Sequence, residues 1–478
     1  MVAGTVGVCL GPMVAFGSDG QKKGGALPRS TPQGAGVRPE AIAAFVAAVN
    51  EKVGGLHSMM LLRHGKVAAE AWWKPFTPDQ SHVLYSLSKS FTSTAIGLAV
   101  SEGRLKVEDK VVSFFPDKVP AEISENLAAM RVYDLLTMST GHESEPGRNG
   151  EDWVKDFLAA PVPHKPGTHF LYNTPATHVL AAIVQKVTKR RMLDYLTPRL
   201  FEPLGIEGAT WDQSPAGVDI GGYGLKLKTE DIAKFGQLFL QKGKWEGKQI
   251  VPAAWVEDAT KKQVSNGDPA QANDWSQGYG YQFWRCQHGH YRGDGAFGQY
   301  CIVMPAHDAV LAITSGVGDM GAVLKAAWDH LVPGMVDGAT GGASIPEQMV
   351  PLASGAKSSG LASGLSGKTW KLETNPDEID TIKLVFEGEQ GTVAVTGAKG
   401  TQEIAFGFGA WVGKGLAAGS AAWTAEDRLH LKVCLLDSPH AWEETFVFAG
   451  DALTIEDRKW NVMFGPRERP TLKGKISG

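Results

Sequence analysis

The apolar positions of the chain change period three times. Ile42, Phe45, Val46 and Val49 recur at i, i+3, i+4 and i+7, which predicts an amphipathic first helix. Ser58 to Arg63 and Lys66 to Trp73 are β-rich runs separated by His64-Gly65, a hairpin signal. From Ser86 to about Leu240 the spacing is mostly helical, as in Leu180, Ile183, Val184 and Val187. Strand-like runs return at Gly278 to Arg285, Tyr291 to Arg292, Gln299 to Met304 and Ala309 to Ser315, and Gly321 to Leu331 reads as a closing helix. Strands that flank a helical middle predict an α+β domain over 38–333: one antiparallel sheet covered by helices, with a helical subdomain beside it.

Residues 334–367 are rich in Gly, Ala, Ser and Pro and carry no period, so they read as a linker. Over 368–478 the pattern is all-β. Ile382, Leu384 and Phe386 alternate, as do Leu429, Leu431, Val433 and Leu435, and Phe446 to Phe448 and Leu453 to Ile455 continue the series. A small barrel or sandwich of about eight strands is predicted. At the other end, Met1 to Phe16 is apolar and rich in small residues but lacks a positively charged start. Residues 1–37 therefore read as an export-signal remnant or a disordered leader, with 18–37 expected to be disordered. This favours a periplasmic or secreted protein, with a cytoplasmic one as the alternative.

The formal net charge of −4 over 478 residues argues against nucleic acid or an anionic membrane as main partner. No 18-residue apolar run predicts a membrane span. Of the four cysteines, Cys9, Cys286, Cys301 and Cys434, none forms a Cys-x-x-Cys pair, so no structural zinc is expected. Cys286 and Cys301 fit equally a disulfide across a hairpin and two reduced, buried thiols. His288 and His290, with His142 and His169, suggest a metal cluster, but a His-x-His in a Gly-flanked turn reads rather as exposed loop, and no metal or cofactor is expected. Trp72-Trp73 and Trp284 read as core.

Candidate chemistry centres on Ser86-Leu87-Ser88-Lys89, at the junction of an apolar run and a helical one. Residues three apart at the start of a helix share a face, so a serine nucleophile would meet a lysine able to take its proton, at the positive end of the helix dipole. Read alone, the pair is a helix cap at Ser86 and a solvated first-turn residue at Lys89, and only the further segments reverse that reading. The same spacing occurs at Ser354-Gly355-Ala356-Lys357, without helical periodicity around it. Three further segments join the first: Met130 to His142; Pro166 to Thr174, directly before the helix carrying Leu180; and Gly293-Asp294-Gly295-Ala296-Phe297-Gly298-Gln299. No Gly-x-Ser-x-Gly elbow and no Gly-rich phosphate loop is present.

Ser86-x-x-Lys89, the Tyr172-x-Thr174 triplet, the Met130 segment and the Gly295 strand stand in the order found in serine hydrolases of the class C β-lactamase type. Roughly residues 38–333 resemble that superfamily, which includes D-alanyl-D-alanine carboxypeptidases, β-lactamase-fold esterases and 6-aminohexanoate-oligomer hydrolases. The C-terminal strands resemble the lipocalin-like domains of some relatives. The resemblance implies a β-lactamase/penicillin-binding-protein-like fold. It makes Ser86 the nucleophile, Lys89 its proton partner, and Tyr172 the general base, as a phenolate or through Lys89. It places the oxyanion hole at the backbone N–H groups of Ser86 and Ala296 on the Gly295 strand. Two departures matter. The triplet ends in Thr174 instead of Asn or Ser, which offers one donor where an amide has two. Gly293-Asp294-Gly295 stands where β-lactamases have Lys-Thr-Gly, so a carboxylate-gripping cation is missing and Asp294 would repel such a substrate.

These residues lead to the expectation of a cofactor-free serine hydrolase that forms an acyl-enzyme on Ser86 and cleaves neutral carboxylic esters. The alternatives are an amidase, D-amino-acid peptidase or weak β-lactamase at the same site, and a non-catalytic binding protein of the same fold. The partner is a small-molecule ester or amide; the sequence leaves the oligomeric state open.

Overall fold

The computed structural model describes residues 25–271 and 273–477. The export signal read in Met1 to Phe16, and Cys9, lie outside the described residues. Where it is described, the segment 25–37 is ordered, against the expectation of disorder. Arg29 forks between Glu70 (3.1 Å) and Glu230 (2.8 Å), and Leu27 and Val37 are buried. Long-range ion pairs and two anchoring apolar side chains outweigh the composition of the segment.

The helix Pro39–Val53 buries Ile42, Phe45, Val46 and Val49, the side chains that carried its period. His64 (φ 51°) and Gly65 (φ 71°) make the tight turn between strands Ser58–Arg63 and Lys66–Lys74. The main sheet orders its strands Gln348–Met349, Lys66–Lys74, Ser58–Arg63, Ala309–Thr314, Gln299–Met304, Tyr291–Gly295 and Trp284–Arg285. All pairings are antiparallel except that of the short 348–349 strand with Trp73 and Lys74.

Both faces of this sheet are covered. Met60 and Leu62 point into the core shared with the helical region, whereas Met59 and Leu61 face the helices Pro39–Val53 and Met320–Ala326. The period of two thus splits one strand between two cores. The helices Ser88–Ser101 and Thr174–Thr188 carry residues of the site, and the helix Thr229–Leu240 packs on the strands Ser58–Arg63, Gln299–Met304 and Ala309–Thr314.

The 334–367 segment is docked along the surface. Met335 bridges Val37, Ile345 joins the core under the first helix, and Ala356 bridges Trp423. Beyond it, nine strands close into a barrel. They run, in spatial order, from Gly400–Phe408 through Gln390–Gly397, Ile379–Glu387, Thr369–Leu372, Leu472–Ile476, Ala452–Asn461, Ala441–Ala449 and Arg428–Leu435 to Ala417–Ala425. A parallel contact between the first and the last, Phe406↔Gly419 to Phe408↔Ala421, completes the ring.

The expected count of about eight is therefore short by one. Ala417 to Ala422 is so rich in Ala and Gly that no alternation shows, and the closure needs those small residues. A Cβ on Gly419 would stand 2.6 Å from the Ala405 carbonyl oxygen. The barrel interior is filled by Trp370, Leu384, Phe406, Leu431 and Phe446 among others. It is docked on the first domain through a loop at 436–440. The Val83 N–H donates to the Asp437 carbonyl (2.8 Å), the Lys226 ammonium pairs with the Asp437 carboxylate (2.5 Å), and Leu436 packs with Phe76.

Candidate active site

Ser86 sits in a single 3₁₀ turn, Tyr85–Leu87, that leads into the helix Ser88–Ser101. In such a turn residues i and i+3 eclipse, which brings Lys89 onto Ser86. The turn is anchored from the segment after Gly222: Leu84 N–H donates to the Leu225 carbonyl (2.8 Å), and the Ser88 hydroxyl accepts from Leu225 N–H (3.2 Å). Lys89 Nζ donates to Ser86 Oγ (3.0 Å), to the Gly222 carbonyl (2.8 Å) and, longer, to Thr174 Oγ1 (3.4 Å). Its side chain is 1 % exposed. Burial, opposed by the carboxylates of Glu145 and Asp294 and aided by the Arg148 cation, pulls the ammonium down to about 7. Gly222, Glu145 and Arg148 carried no sequence motif. Gly222 is legible only in space, since a Cβ there would stand 2.5 Å from Thr174 Cγ2.

Tyr172 arrives on an extended segment held by the Met130–His142 stretch. Leu171 N–H donates to the Met138 carbonyl (2.9 Å) and Gly167 N–H to the Ser139 carbonyl (2.7 Å). Asn173 caps the following helix through Ala176 N–H (3.0 Å). The Tyr172 ring stacks on Trp284 (5.2 Å between centroids, 21°) and meets Tyr279 edge-on. Trp284, read as plain core, is therefore a wall of the site. The phenol lies close to Ser86, and Lys89 Nζ lies 4.9 Å from the ring centroid. Burial and the Asp294 charge push the phenol well above its ordinary value. The phenolate considered from sequence required a charged lysine beside it. Here the lysine is itself pulled toward neutrality, so the phenol stays protonated at neutral pH.

The strand Tyr291–Gly295 lies against the Tyr85–Leu87 turn through its glycines. A Cβ on Gly293 would stand 2.5 Å from Leu87 Cδ1 and from Ser90 Oγ. One on Gly295 would stand 2.0 Å from the Leu84 carbonyl oxygen and 3.0 Å from Ser86 N. Only a side chain of hydrogen permits that approach, which sets Ala296 beside Ser86.

Arg292 and Asp294 alternate to the other face. Arg292 Nε donates to Asp294 Oδ2 at 2.9 Å, with both side chains buried. Asp294 is therefore a paired group, and the free negative charge expected to repel a substrate carboxylate is compensated by Arg292. The half-buried cation at the mouth is Arg148. It lies over the Trp153 and Tyr223 rings (5.9 and 5.6 Å), and no carboxylate among the described residues pairs with it within 4.0 Å.

The remaining candidates separate. Ser354 and Lys357 are exposed, and Lys357 pairs with Glu389 (3.1 Å). Cys286, Cys301 and Cys434 are free thiols. Cys301 sits opposite Gly293, on the face toward the helix Thr229–Leu240. Cys286 lies beside Arg292 on the other face, so the pleat keeps the two sulfurs apart. His288 and His290 pack near Trp328, while His142 contacts Thr140 and Phe157. Among the described residues, the donors that gather closely enough for a metal are those of Glu143, His164 and His169, within 4.8 Å of one another at the surface. Of the four histidines singled out in the sequence, only His169 belongs to that group.

The beta-lactamase family model matches residues 42–332. A 6-aminohexanoate-dimer hydrolase of Paenarthrobacter ureafaciens is 25% identical over 286 residues, covering 55% of this chain and 73% of that protein. A D-aminopeptidase of Brucella anthropi is 26% identical over 166 residues, 32% of either chain. A crystal structure titled as a putative beta-lactamase from Bacteroides dorei superposes with a TM-score of 0.52 at 16% identity, covering 61% of this chain and 97% of that one. Four motifs folded into one cleft and a match across more than half of the sequence lead to one conclusion: this chain belongs to the beta-lactamase family of serine hydrolases.

Proposed function

We propose that the protein hydrolyses carboxylic esters through an acyl-enzyme on Ser86. The observation that carries this reading is Lys89, buried, 3.0 Å from Ser86 Oγ and pulled down to about 7. A lysine that is neutral near physiological pH takes the hydroxyl proton as Oγ attacks the ester carbonyl carbon. The resulting oxyanion faces the backbone N–H groups of Ser86 and Ala296. As the tetrahedral intermediate collapses, the leaving alkoxide takes the Tyr172 phenol proton, and the Lys89 ammonium restores it. Water then attacks the acyl-enzyme by the same relay, releasing the acid and Ser86. An alkoxide is a better leaving group than an amine, which favours ester over amide. Gly293, in place of a lysine, withholds a cation from the strand side and supports neutral esters as the preferred class.

A second reading, hydrolysis of carboxylate-bearing amides, is favoured by Arg148 at the mouth of the cleft and by the names of two relatives, a 6-aminohexanoate-dimer hydrolase and a D-aminopeptidase. The test compares kcat/KM for p-nitrophenyl butyrate, a p-nitrophenyl ester bearing a distal carboxylate, a chromogenic cephalosporin and a D-alanyl-D-alanine peptide, in wild type and Ser86→Ala. A neutral-ester preference that Ser86→Ala abolishes is expected. Ranking the anionic ester or the peptide first moves the assignment to the second reading. Activity that survives in Ser86→Ala overturns both.

A further inference from the structure

Two bulky residues at this site hold left-handed backbone, Tyr85 (φ 46°) and Phe297 (φ 64°). Such a conformation is disfavoured for a residue with a large side chain and persists only where the surroundings hold it. Their positions are not arbitrary. Tyr85 immediately precedes Ser86 and Phe297 immediately follows Ala296, so each adjoins one of the two residues whose N–H groups face the oxyanion.

Both rings converge on one side chain from the C-terminal barrel, His440. Tyr85 Oη lies 2.7 Å from His440 Nε2. The imidazole meets the Tyr85 ring at 6.1 Å and 79° and the Phe297 ring at 5.9 Å and 82°, and the two rings are 5.8 Å apart. The imidazole is itself held in place. Its Nδ1 lies 3.0 Å from the Asn461 carbonyl oxygen, so Nδ1 carries the proton and donates there, which leaves Nε2 to accept from the tyrosine hydroxyl. The Asn461 amide in turn donates to the Gly316 and Pro439 carbonyls (2.9 Å each), tying the barrel to the strand end that precedes Val317. Val317 N–H and the Ser315 hydroxyl then hold the Phe297 carbonyl (3.1 and 2.7 Å).

We propose that His440 is a positioning residue for the oxyanion site: by accepting from Tyr85 and packing on Phe297 it fixes the two left-handed residues that aim the Ser86 and Ala296 N–H groups. The barrel is then a working part of the catalytic centre, although none of its atoms reacts. This rests on the assignment of Ser86 as nucleophile.

The experiment uses the full chain with p-nitrophenyl butyrate, and compares His440→Ala, His440→Gln and Tyr85→Phe, with melting temperatures for all. Loss of one oxyanion donor costs about 10²–10³ in kcat, so a donor that is misaimed should cost roughly 10–10². His440→Ala is expected to lose that much kcat with KM changed less than about threefold. His440→Gln, whose amide oxygen can accept from Tyr85, should recover most of it. Tyr85→Phe, which removes the hydrogen bond and leaves His440 packed on Phe297, should lose part of what His440→Ala loses, and the double variant should lose no more than His440→Ala alone, because the Tyr85 hydroxyl acts through His440. Should His440→Ala fail to fold, Tyr85→Phe, which keeps the ring and deletes one hydroxyl, carries the test. Unchanged kcat in Tyr85→Phe, additive losses, or no recovery in His440→Gln overturns the proposal. Ser86→Ala in parallel separates that outcome from failure of the nucleophile assignment, which alone would leave Ser86→Ala active.

Discussion

Lys89 can accept a proton only when it is neutral, and burial sets that condition near pH 7. The sign follows directly. Below about 7 the group is an ammonium and cannot take the Ser86 proton; above it the amine is free. Log kcat/KM should therefore rise with unit slope as pH increases through about 7 and then level off, in a pH–rate profile on a neutral ester. A flat profile from pH 5 to 9 would remove Lys89 from the role of base. Tyr172, held protonated, has a different task. Tyr172→Phe keeps the stack on Trp284 and should lower kcat by roughly 10² or more, in the range of a lost proton relay, with the melting temperature nearly unchanged. Ser86, Lys89 and Tyr172 were legible as candidates because each is a chemical type at a fixed spacing, but the sequence expectation made Tyr172 the base, a task the proposed mechanism gives to Lys89. The protonation states were not, because they depend on burial and on Asp294, Glu145 and Arg148, which come from other parts of the chain.

The strand Tyr291–Gly295 shows what an element adds to its residues. Its glycines carry no chemistry, yet their missing side chains let it close on the nucleophile turn. Gly295→Ala places a methyl group against the Leu84 carbonyl at 2.0 Å. Overpacking of this kind costs about 1–3 kcal/mol, and here the backbone that yields adjoins Ser86 N, a proposed oxyanion donor. Both a lower melting temperature and a loss of kcat are expected, read by thermal denaturation and steady-state kinetics. Normal kcat in a destabilised Gly295→Ala would show that the close approach is packing alone. The alternation of Arg292 and Asp294 with these glycines follows from strand period. The neutralisation of Asp294 by Arg292 does not show in sequence, because a pair two residues apart on a strand meets only when both side chains turn inward.

At the scale of the whole molecule the barrel and the hydrolase domain share a boundary and keep separate cores. Trp370 is fully buried in the barrel, and Trp370→Ala should cost about 3–5 kcal/mol of barrel stability, seen as a lowered calorimetric transition. The thiols give a second check. Cys286 and Cys301 lie on opposite faces of the sheet, so dithiothreitol should leave the melting temperature unchanged, and neither thiol should react with a disulfide reagent until the chain unfolds. A Cys286–Cys301 disulfide found by peptide mapping under non-reducing conditions would overturn this arrangement of the sheet.

The chain by itself determined its fold class and singled out Ser86 as its candidate nucleophile. The period of two in Met59 to Leu62, the helical period of Leu180 to Val187 and the Ser86-x-x-Lys89 spacing are local properties, and local spacing survives any tertiary arrangement. It missed one barrel strand and the order in residues 25–37. A closure of Ala and Gly has no alternation, and Arg29 finds its partners at Glu70 and Glu230. Only the tertiary structure decided what surrounds the serine. Gly222 under Lys89, Arg292 against Asp294 and His440 on Tyr85 are each contacts between residues far apart in sequence or turned inward by the pleat. The charges and hydrogen bonds that tune a site act through space, so no spacing along the chain encodes them.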